Sequence, residues 1–159
     1  MKQRIAVLAL LAAPFAANSA LAEPLRLTVN QAFSVSVGID QLNKGATQII
    51  KDGAKETSVQ VPFAFAPAVR VALAVDASHI ADAIGPAQRA LKSAREKLAT
   101  AGGELDDASR KALEAEAEKI GAQIVEIELT PIGESDLALD KNPGISAATI
   151  QALLPIFKH

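Results

Sequence analysis

Residues 86–122 constrain the fold of this chain most, because they carry two helical stripes on either side of Gly102-Gly103. In each stripe apolar residues recur at spacings of three and four, which places them on one face of a helix. The first stripe is Ala87, Leu91, Ala94, Leu98 and Ala101, and the second is Leu113, Ala117, Ile120 and Ile124. Two such stripes with a short glycine break between them predict an antiparallel helical hairpin over about 86–122.

The first 22 residues have the pattern of a secretory signal peptide. Two basic residues precede an almost wholly apolar run over 5–17, and Ala20-Leu21-Ala22 places small residues where a signal peptidase reads them. The alternative is an N-terminal anchor helix, which is disfavoured because Pro14 interrupts a run shorter than the roughly 20 residues of a membrane span. We therefore expect cleavage after Ala22, a periplasmic or secreted location, and no membrane span after cleavage.

The remainder, residues 23–159, has the length of one domain. Loss of the signal leaves 14 of the 16 Lys and Arg residues against 18 Asp and Glu residues, a net charge of −4. A balance of this sign argues against nucleic acid as a partner. The chain has no Cys, Trp or Tyr, so disulfides are excluded and the core is built from aliphatic residues with Phe.

Period-2 alternation of apolar residues predicts the strands. The alternating runs are Leu25 to Val37 with an interruption at Asn30-Gln31, Val59 to Phe65, Val69 to Val75, Val125 to Leu129, and the short Leu137 to Leu139. The second and third runs are joined by a Pro-containing link and are expected to pair antiparallel.

Helices are predicted between these runs from 3.6-residue spacing and capping residues. The expected helices are Ile39 to Ile50, a short segment from Asp76 that is broken at Gly85-Pro86, the hairpin with Asp106 or Asp107 as cap of its second arm, and a final helix capped by Ser146 with Ile150, Leu153, Leu154 and Phe157 as its stripe. The order predicts an α+β domain, with a mostly antiparallel sheet of four to six short strands covered on one face by helices.

His79 is the central candidate for chemistry, because it follows the strongest predicted strand and shares a helical face with Asp82. With Asp76 nearby, this group is the candidate catalytic or ligand-binding site of the chain. The alternative is a helix start in which Asp76 or Ser78 caps and His79 is solvated. Two ligands do not make a zinc site, and the chain has no Cys to complete one.

Other catalytic and cofactor motifs do not occur. The chain has no G-x-S-x-G elbow, no P-loop and no G-x-G-x-x-G turn, so no cofactor and no metal is expected. The stretch Asp140-x-Asn142-x-Gly144 is similar to the start of a calcium loop, but the later glutamate is missing. We interpret it as a plain turn.

The order of strand, helical hairpin, strand and final helix behind a signal peptide is similar in outline to periplasmic chaperones of the Skp (OmpH) type. The stretch Asp136 to Gly144, which reads Asp-Leu-Ala-Leu-Asp-Lys-Asn-Pro-Gly, contributes to the likeness. The resemblance covers about half of the chain and implies a holdase that protects unfolded clients. Members of that family have longer helical arms and a basic balance, whereas residues 23–159 are acidic.

Three functions therefore remain open at this point. The first is a non-catalytic exported protein of the cell envelope that acts as a protein-interaction or structural module with an envelope protein as partner. The second is a periplasmic holdase-type chaperone. The third is a small-molecule or metal binder, or an enzyme, that uses His79. The thin catalytic inventory favours the first.

Overall fold

The computed structural model describes residues 23–53, 55–100 and 103–158. The elements are β1 (Leu25–Thr28), α1 (Val29–Lys44), β2 (Ala46–Asp52), β3 (Lys55–Val61), α2 (Pro67–Leu98), α3 (Asp107–Gly121), β4 (Ile124–Ile127) and α4 (Ala147–Leu153). One short 3₁₀ helix precedes α4 at Glu134–Leu137, and another follows it at Leu154–Ile156. The predicted signal peptide, 1–22, lies outside the described residues.

The predicted α+β class and the antiparallel pairing are confirmed, but the four strands form two separate sheets of two strands each. In one sheet β1 pairs with β4, so that Leu25 lies opposite Ile127 and Thr28 opposite Ile124. In the other, β2 pairs with β3 over seven residue pairs, from Ala46 opposite Val61 to the turn. The strands therefore belong to two structurally different parts of the molecule.

Helix α1 replaces a predicted strand, because the alternating run Leu25 to Val37 is extended only as far as Thr28. Thr28 and Gln31 form a capping box: the Gln31 backbone N–H donates to Thr28 Oγ1 at 3.1 Å, and the Thr28 N–H donates to Gln31 Oε1 at 2.9 Å. Val35 and Ile39 are then buried on one helical face. The predicted helix over Ile39 to Ile50 is correct only as far as Lys44.

The predicted strand at Val69 to Val75 is wrong, because these residues open the 32-residue helix α2. Pro67 suits the first turn, and the many alanines of this segment favour a helix. The expected break at Gly85-Pro86 is also wrong, since α2 continues through it. The buried stripe that runs through this region explains why. It consists of Leu73, Asp76, Ile80, Ile84 and Ala87.

Burial of an aliphatic side chain contributes about 1.5–3 kcal/mol, whereas an interior proline costs about 3 kcal/mol. The three large aliphatics of the stripe therefore outweigh the cost of Pro86. Val71 and Val75, which an alternating strand would have buried with Leu73, are 64% and 43% exposed.

The predicted helical hairpin is confirmed as the C-terminal part of α2 packed along α3. Asp106 caps α3 as expected, accepting the Ser109 N–H at 2.7 Å, and this interaction lowers the pKa of its carboxyl. Ala87 and Ile120 meet at the far end of the pair, in a small cluster with Val29. The predicted direct passage from helix into strand near Gln123 is also confirmed.

The C-terminal segment packs on α1. Ser146 caps α4 as predicted, and Leu153 is fully buried over Gly38, where an added Cβ would lie 3.0 Å from the leucine. Leu154, expected on the buried stripe, is 43% exposed because the chain turns into a 3₁₀ helix at Pro155. The strand predicted at Leu137 to Leu139 is wrong, since Glu134–Leu137 is the first 3₁₀ helix.

Candidate functional site

The three candidate residues predicted around His79 lie on α2, where this helix crosses β4 and the segment that follows it. Asp76 faces the core and is 1% exposed, whereas His79 and Asp82 are exposed. The two exposed side chains line a shallow depression together with Glu126 and Glu128. The structure therefore brings His79 and Asp82 together and places Asp76 behind them.

Asp76 ties α2 to the chain beyond β4. Its Oδ1 accepts the Thr130 backbone N–H at 2.9 Å, while Oδ2 is buried without a hydrogen-bond partner. Burial raises the pKa of this carboxyl above its usual value, and the hydrogen bonds from Thr130 and the nearby His79 offset part of the rise. A group with one used and one unused oxygen in the core is costly to keep charged.

His79 makes a second tie to the same segment. Its Nδ1 lies 2.6 Å from the Glu128 carbonyl oxygen. A carbonyl oxygen only accepts hydrogen bonds, so Nδ1 carries the proton and Nε2 is the unprotonated nitrogen of the neutral ring. Together the contacts of Asp76 and His79 fix 128–130 against α2. The arrangement is that of a clamp between two elements.

A metal centre is not assembled at this clamp. Within the ranges that the structure describes, no group of three or more His, Cys, Asp or Glu side chains is placed to hold a metal ion. Asn142, which the calcium-like turn singled out, is buried and hydrogen-bonds the protein itself. Its Oδ1 accepts the Ala64 N–H at 2.7 Å, and its Nδ2 donates to the Leu137 carbonyl at 2.8 Å. This residue fastens the turn to the chain entering α2.

The second sheet is the most exposed part of the fold, and we call it the ribbon (Ala46–Asp52 with Lys55–Val61). Every residue of the ribbon except Ala46 is exposed. The two strands pair with each other and with no further strand among the described residues. An amphipathic two-stranded ribbon of this kind presents one face, or both, to whatever surrounds it.

The side chains divide the ribbon into two unlike faces. Residues directly opposite each other in an antiparallel pair share a face, and the faces alternate along each strand. One face, which we call the apolar face, carries the pairs Ala46–Val61, Gln48–Val59, Ile50–Thr57 and Asp52–Lys55. The opposite face carries Thr47–Gln60, Ile49–Ser58 and Lys51–Glu56. Four aliphatic side chains thus lie on one face and a single isoleucine on the other.

The aliphatic side chains of the ribbon are substantially in contact with solvent. Ile50 is 53% exposed and Ile49 is 61% exposed, while Val59 and Val61 are each 37% exposed. Isolated exposed aliphatics are ordinary, but a row of them on one sheet face marks an interaction surface. The apolar face of the ribbon is therefore the second candidate functional site.

Two glycines hold the base of the ribbon against the body of the protein. Gly45, between α1 and β2, has φ +80°, and a Cβ built there would overlap the Val61 carbonyl group. A Cβ on Gly144 would lie 2.8 Å from that of Ala46. A groove of about 370 Å³ opens at this base, lined by residues of both strands, Phe63 and Lys141. The apolar face thus begins against the core and runs outward to the tip.

Comparison of the chain with protein-family models, with curated proteins and with solved structures finds no match. The argument for function therefore rests on the geometry of the two sites. Across the described ranges, no helix combines the length and the apolar character that crossing a bilayer requires.

The ribbon was missed by the sequence analysis, although a signal for it exists. Asp52-Gly53 is a typical two-residue hairpin signal, and Gly53 has φ +61°, which the tight turns of hairpins require. The alternation beyond it is irregular, because Ile49 and Ile50 are consecutive and point to opposite faces. Consecutive isoleucines fit the end of a helical stripe equally well, and the helix was extended through them.

Proposed function

We propose that this chain is a non-catalytic exported protein of the cell envelope, that it acts as a protein-interaction module, and that the ribbon contacts the partner. The export part of the proposal is supported by the sequence of 1–22, with its positive start, apolar run and Ala-Leu-Ala end. The interaction part is supported by one observation above all. The apolar face carries Ala46, Ile50, Val59 and Val61 and is open to solvent for most of its length.

The position of the ribbon supports a role in binding other proteins. The core is built from α1, α2, α4 and the β1–β4 sheet, and Ala46 is the one ribbon residue that packs against it. Residues that contribute little to the core yet carry exposed aliphatics are typical of recognition surfaces. Strand edges also offer unpaired backbone groups, which a partner strand uses in β-augmentation.

The clamp supports a positioning role for His79. The imidazole donates to a backbone carbonyl, and Asp76 accepts from a backbone N–H, so both side chains are engaged with the protein's own chain. A His79→Ala variant is therefore expected to leave partner binding unchanged.

The test is site-specific photo-crosslinking in intact cells, with the crosslinking side chain at Val59 on the apolar face or at Ser58 on the opposite face. We expect a reproducible protein adduct from position 59 and little or none from position 58. The two positions are adjacent and lie on opposite faces of one strand, so each controls for expression and export of the other. A folded protein that gives no adduct at either position would refute the proposal.

The holdase alternative is separated by an assay of aggregation. A holdase suppresses aggregation of an unfolded outer-membrane client when present at near-stoichiometric amounts. An interaction module with a folded partner has no such effect. Suppression by the purified protein that is lost in a Val59→Lys variant would replace the module by the chaperone.

A further inference from the structure

The ribbon lacks the cover that two strands need. A two-stranded hairpin is marginally stable in water, and a third strand or a packed surface is what normally stabilises it. Here seven residue pairs extend from the body, and the apolar face beyond Ala46 is exposed. The ribbon therefore gains from any surface that covers Ile50, Val59 and Val61.

The charges of the ribbon favour a second copy as that surface. Lys51 and Lys55 balance Asp52 and Glu56, and Lys51 pairs with Glu56 at 2.8 Å on the opposite face. The ribbon is thus neutral in a chain whose residues 23–159 carry a net charge of −4. Two acidic molecules meet here without the repulsion that other surfaces would impose.

The direction of approach follows from the base of the ribbon. Gly144 and Phe63 occupy the side of Ala46, so a second ribbon that ran in the same direction would meet the body of the first copy. Two ribbons that run in opposite directions avoid this, and each tip then approaches the other copy's base. The tip carries Asp52 on its apolar face, and the groove at the base is lined by Lys141, so opposite charges meet.

We infer that the apolar face of the ribbon binds the apolar face of a second copy of this chain, with the two ribbons antiparallel about a two-fold axis. The inference rests on the proposed function and names the partner. The contact is isologous, since the same residues face each other across the axis, and it therefore closes at a dimer.

The size of the contact sets its strength. Seven residues at about 3.4 Å and a width of about 10 Å give roughly 240 Å² from each copy. The total of about 500 Å² is well below the roughly 1,200 Å² of stable interfaces. The dimer is therefore reversible, with half-association expected in the range of tens to hundreds of micromolar.

The experiment is sedimentation velocity of the exported, purified protein from about 10 to 500 µM, compared with two matched variants. Ile50→Lys places a charge on the apolar face, and Ile49→Lys places the same charge on the opposite face at a neighbouring, similarly exposed position. We expect wild type and Ile49→Lys to shift from monomer to dimer alike. Ile50→Lys should raise the dissociation constant at least about tenfold. Circular dichroism confirms that all three are folded.

Two results would overturn the inference: a wild-type protein that stays monomeric at 500 µM, or equal loss of association in both variants. The mass of the adduct from the photo-crosslinker at Val59 separates this failure from that of the proposed function. An adduct of twice the chain mass supports the second copy. A monomer that forms adducts with a different protein overturns the second copy and leaves the interaction module standing. Absence of any adduct removes both.

Discussion

Asp76 shows how one buried polar residue fixes the relation between two elements. Its Oδ1 holds the Thr130 N–H, and its side chain is 1% exposed within a stripe of aliphatics on α2. Loss of one partner of a buried hydrogen bond leaves the other unsatisfied at a cost of about 1–3 kcal/mol. Asp76→Ala should therefore lower the free energy of unfolding by about that amount, measured by urea denaturation. An unchanged midpoint would show that Thr130 finds another acceptor.

The pH dependence of the same residue distinguishes its charge from its hydrogen bond. The pKa of Asp76 is raised in the folded protein, so the folded state binds its proton more tightly than the unfolded chain does. Its contribution to stability is present below the unfolded value near 3.8 and is lost as the pH rises through the folded pKa.

Asp76→Asn keeps an acceptor for Thr130 and removes the titration. We expect the stability of the Asn variant relative to wild type to increase from pH 3 to pH 7. The measurement is urea unfolding of both proteins across this range. A difference that is constant with pH, or that shrinks, would contradict the raised pKa.

Gly45 is the second residue on which the fold depends, because it combines a left-handed backbone with close contact to Val61. Gly45→Ala should cost about 1–3 kcal/mol in unfolding free energy, since the methyl group meets the carbonyl group as well as the φ strain. Gly53→Ala is the matched control: its φ is also positive, but nothing lies within 4 Å of the added Cβ. It should lose only the backbone part, about 1–2 kcal/mol at most. Equal losses would mean that the contact at Val61 relaxes.

At the scale of elements, the sequence predicts what short-range chemistry specifies. The helical hairpin, the caps at Asp106 and Ser146 and the strand after Gln123 follow from spacing and capping and are confirmed. The errors fall on Val- and Ala-rich segments, where alternation is compatible with both a strand and a helix. In the segment from Phe33 to Val37, the capping box at Thr28 decides for the helix.

The site was predicted in part for a physical reason. His79, Asp76 and Asp82 lie within two turns of one helix, so their proximity is visible from sequence spacing. Their contacts with 128–130 are separated by about fifty residues of chain and depend on how α2 crosses β4. The apolar face of the ribbon needs the pairing of β2 with β3, which no spacing within either strand specifies.

Helix α2 provides a prediction at the same scale, because it contains two prolines in different positions. Pro86 is interior and removes a hydrogen bond, whereas Pro67 lies in the first turn, where no partner exists. Pro86→Ala should raise the free energy of unfolding by about 1–2 kcal/mol, after allowance for the greater freedom of the unfolded chain. Pro67→Ala should be neutral or slightly destabilising. Thermal unfolding of both variants checks this, and a destabilised Pro86→Ala protein would show that the packing of α2 depends on the proline.

At the scale of the whole molecule, the described residues divide between a packed body and an exposed ribbon. The body buries aliphatic residues from three helices and the β1–β4 sheet, and the clamp and Asn142 tie its segments together. The ribbon adds one residue, Ala46, to that packing and exposes its remaining aliphatics. This division is the basis for placing the interaction surface on the ribbon, since a partner that covers the apolar face leaves the body unchanged.

Amide hydrogen exchange tests this division most directly. In dilute protein, backbone amides of 47–60 should exchange much faster than those paired between β1 and β4. At high protein concentration, or with the partner that crosslinking identifies, the ribbon amides should become protected while those of the body stay as they were. Ribbon amides that are already as protected as β1 and β4 in dilute protein, or that show no protection on association, would contradict the account.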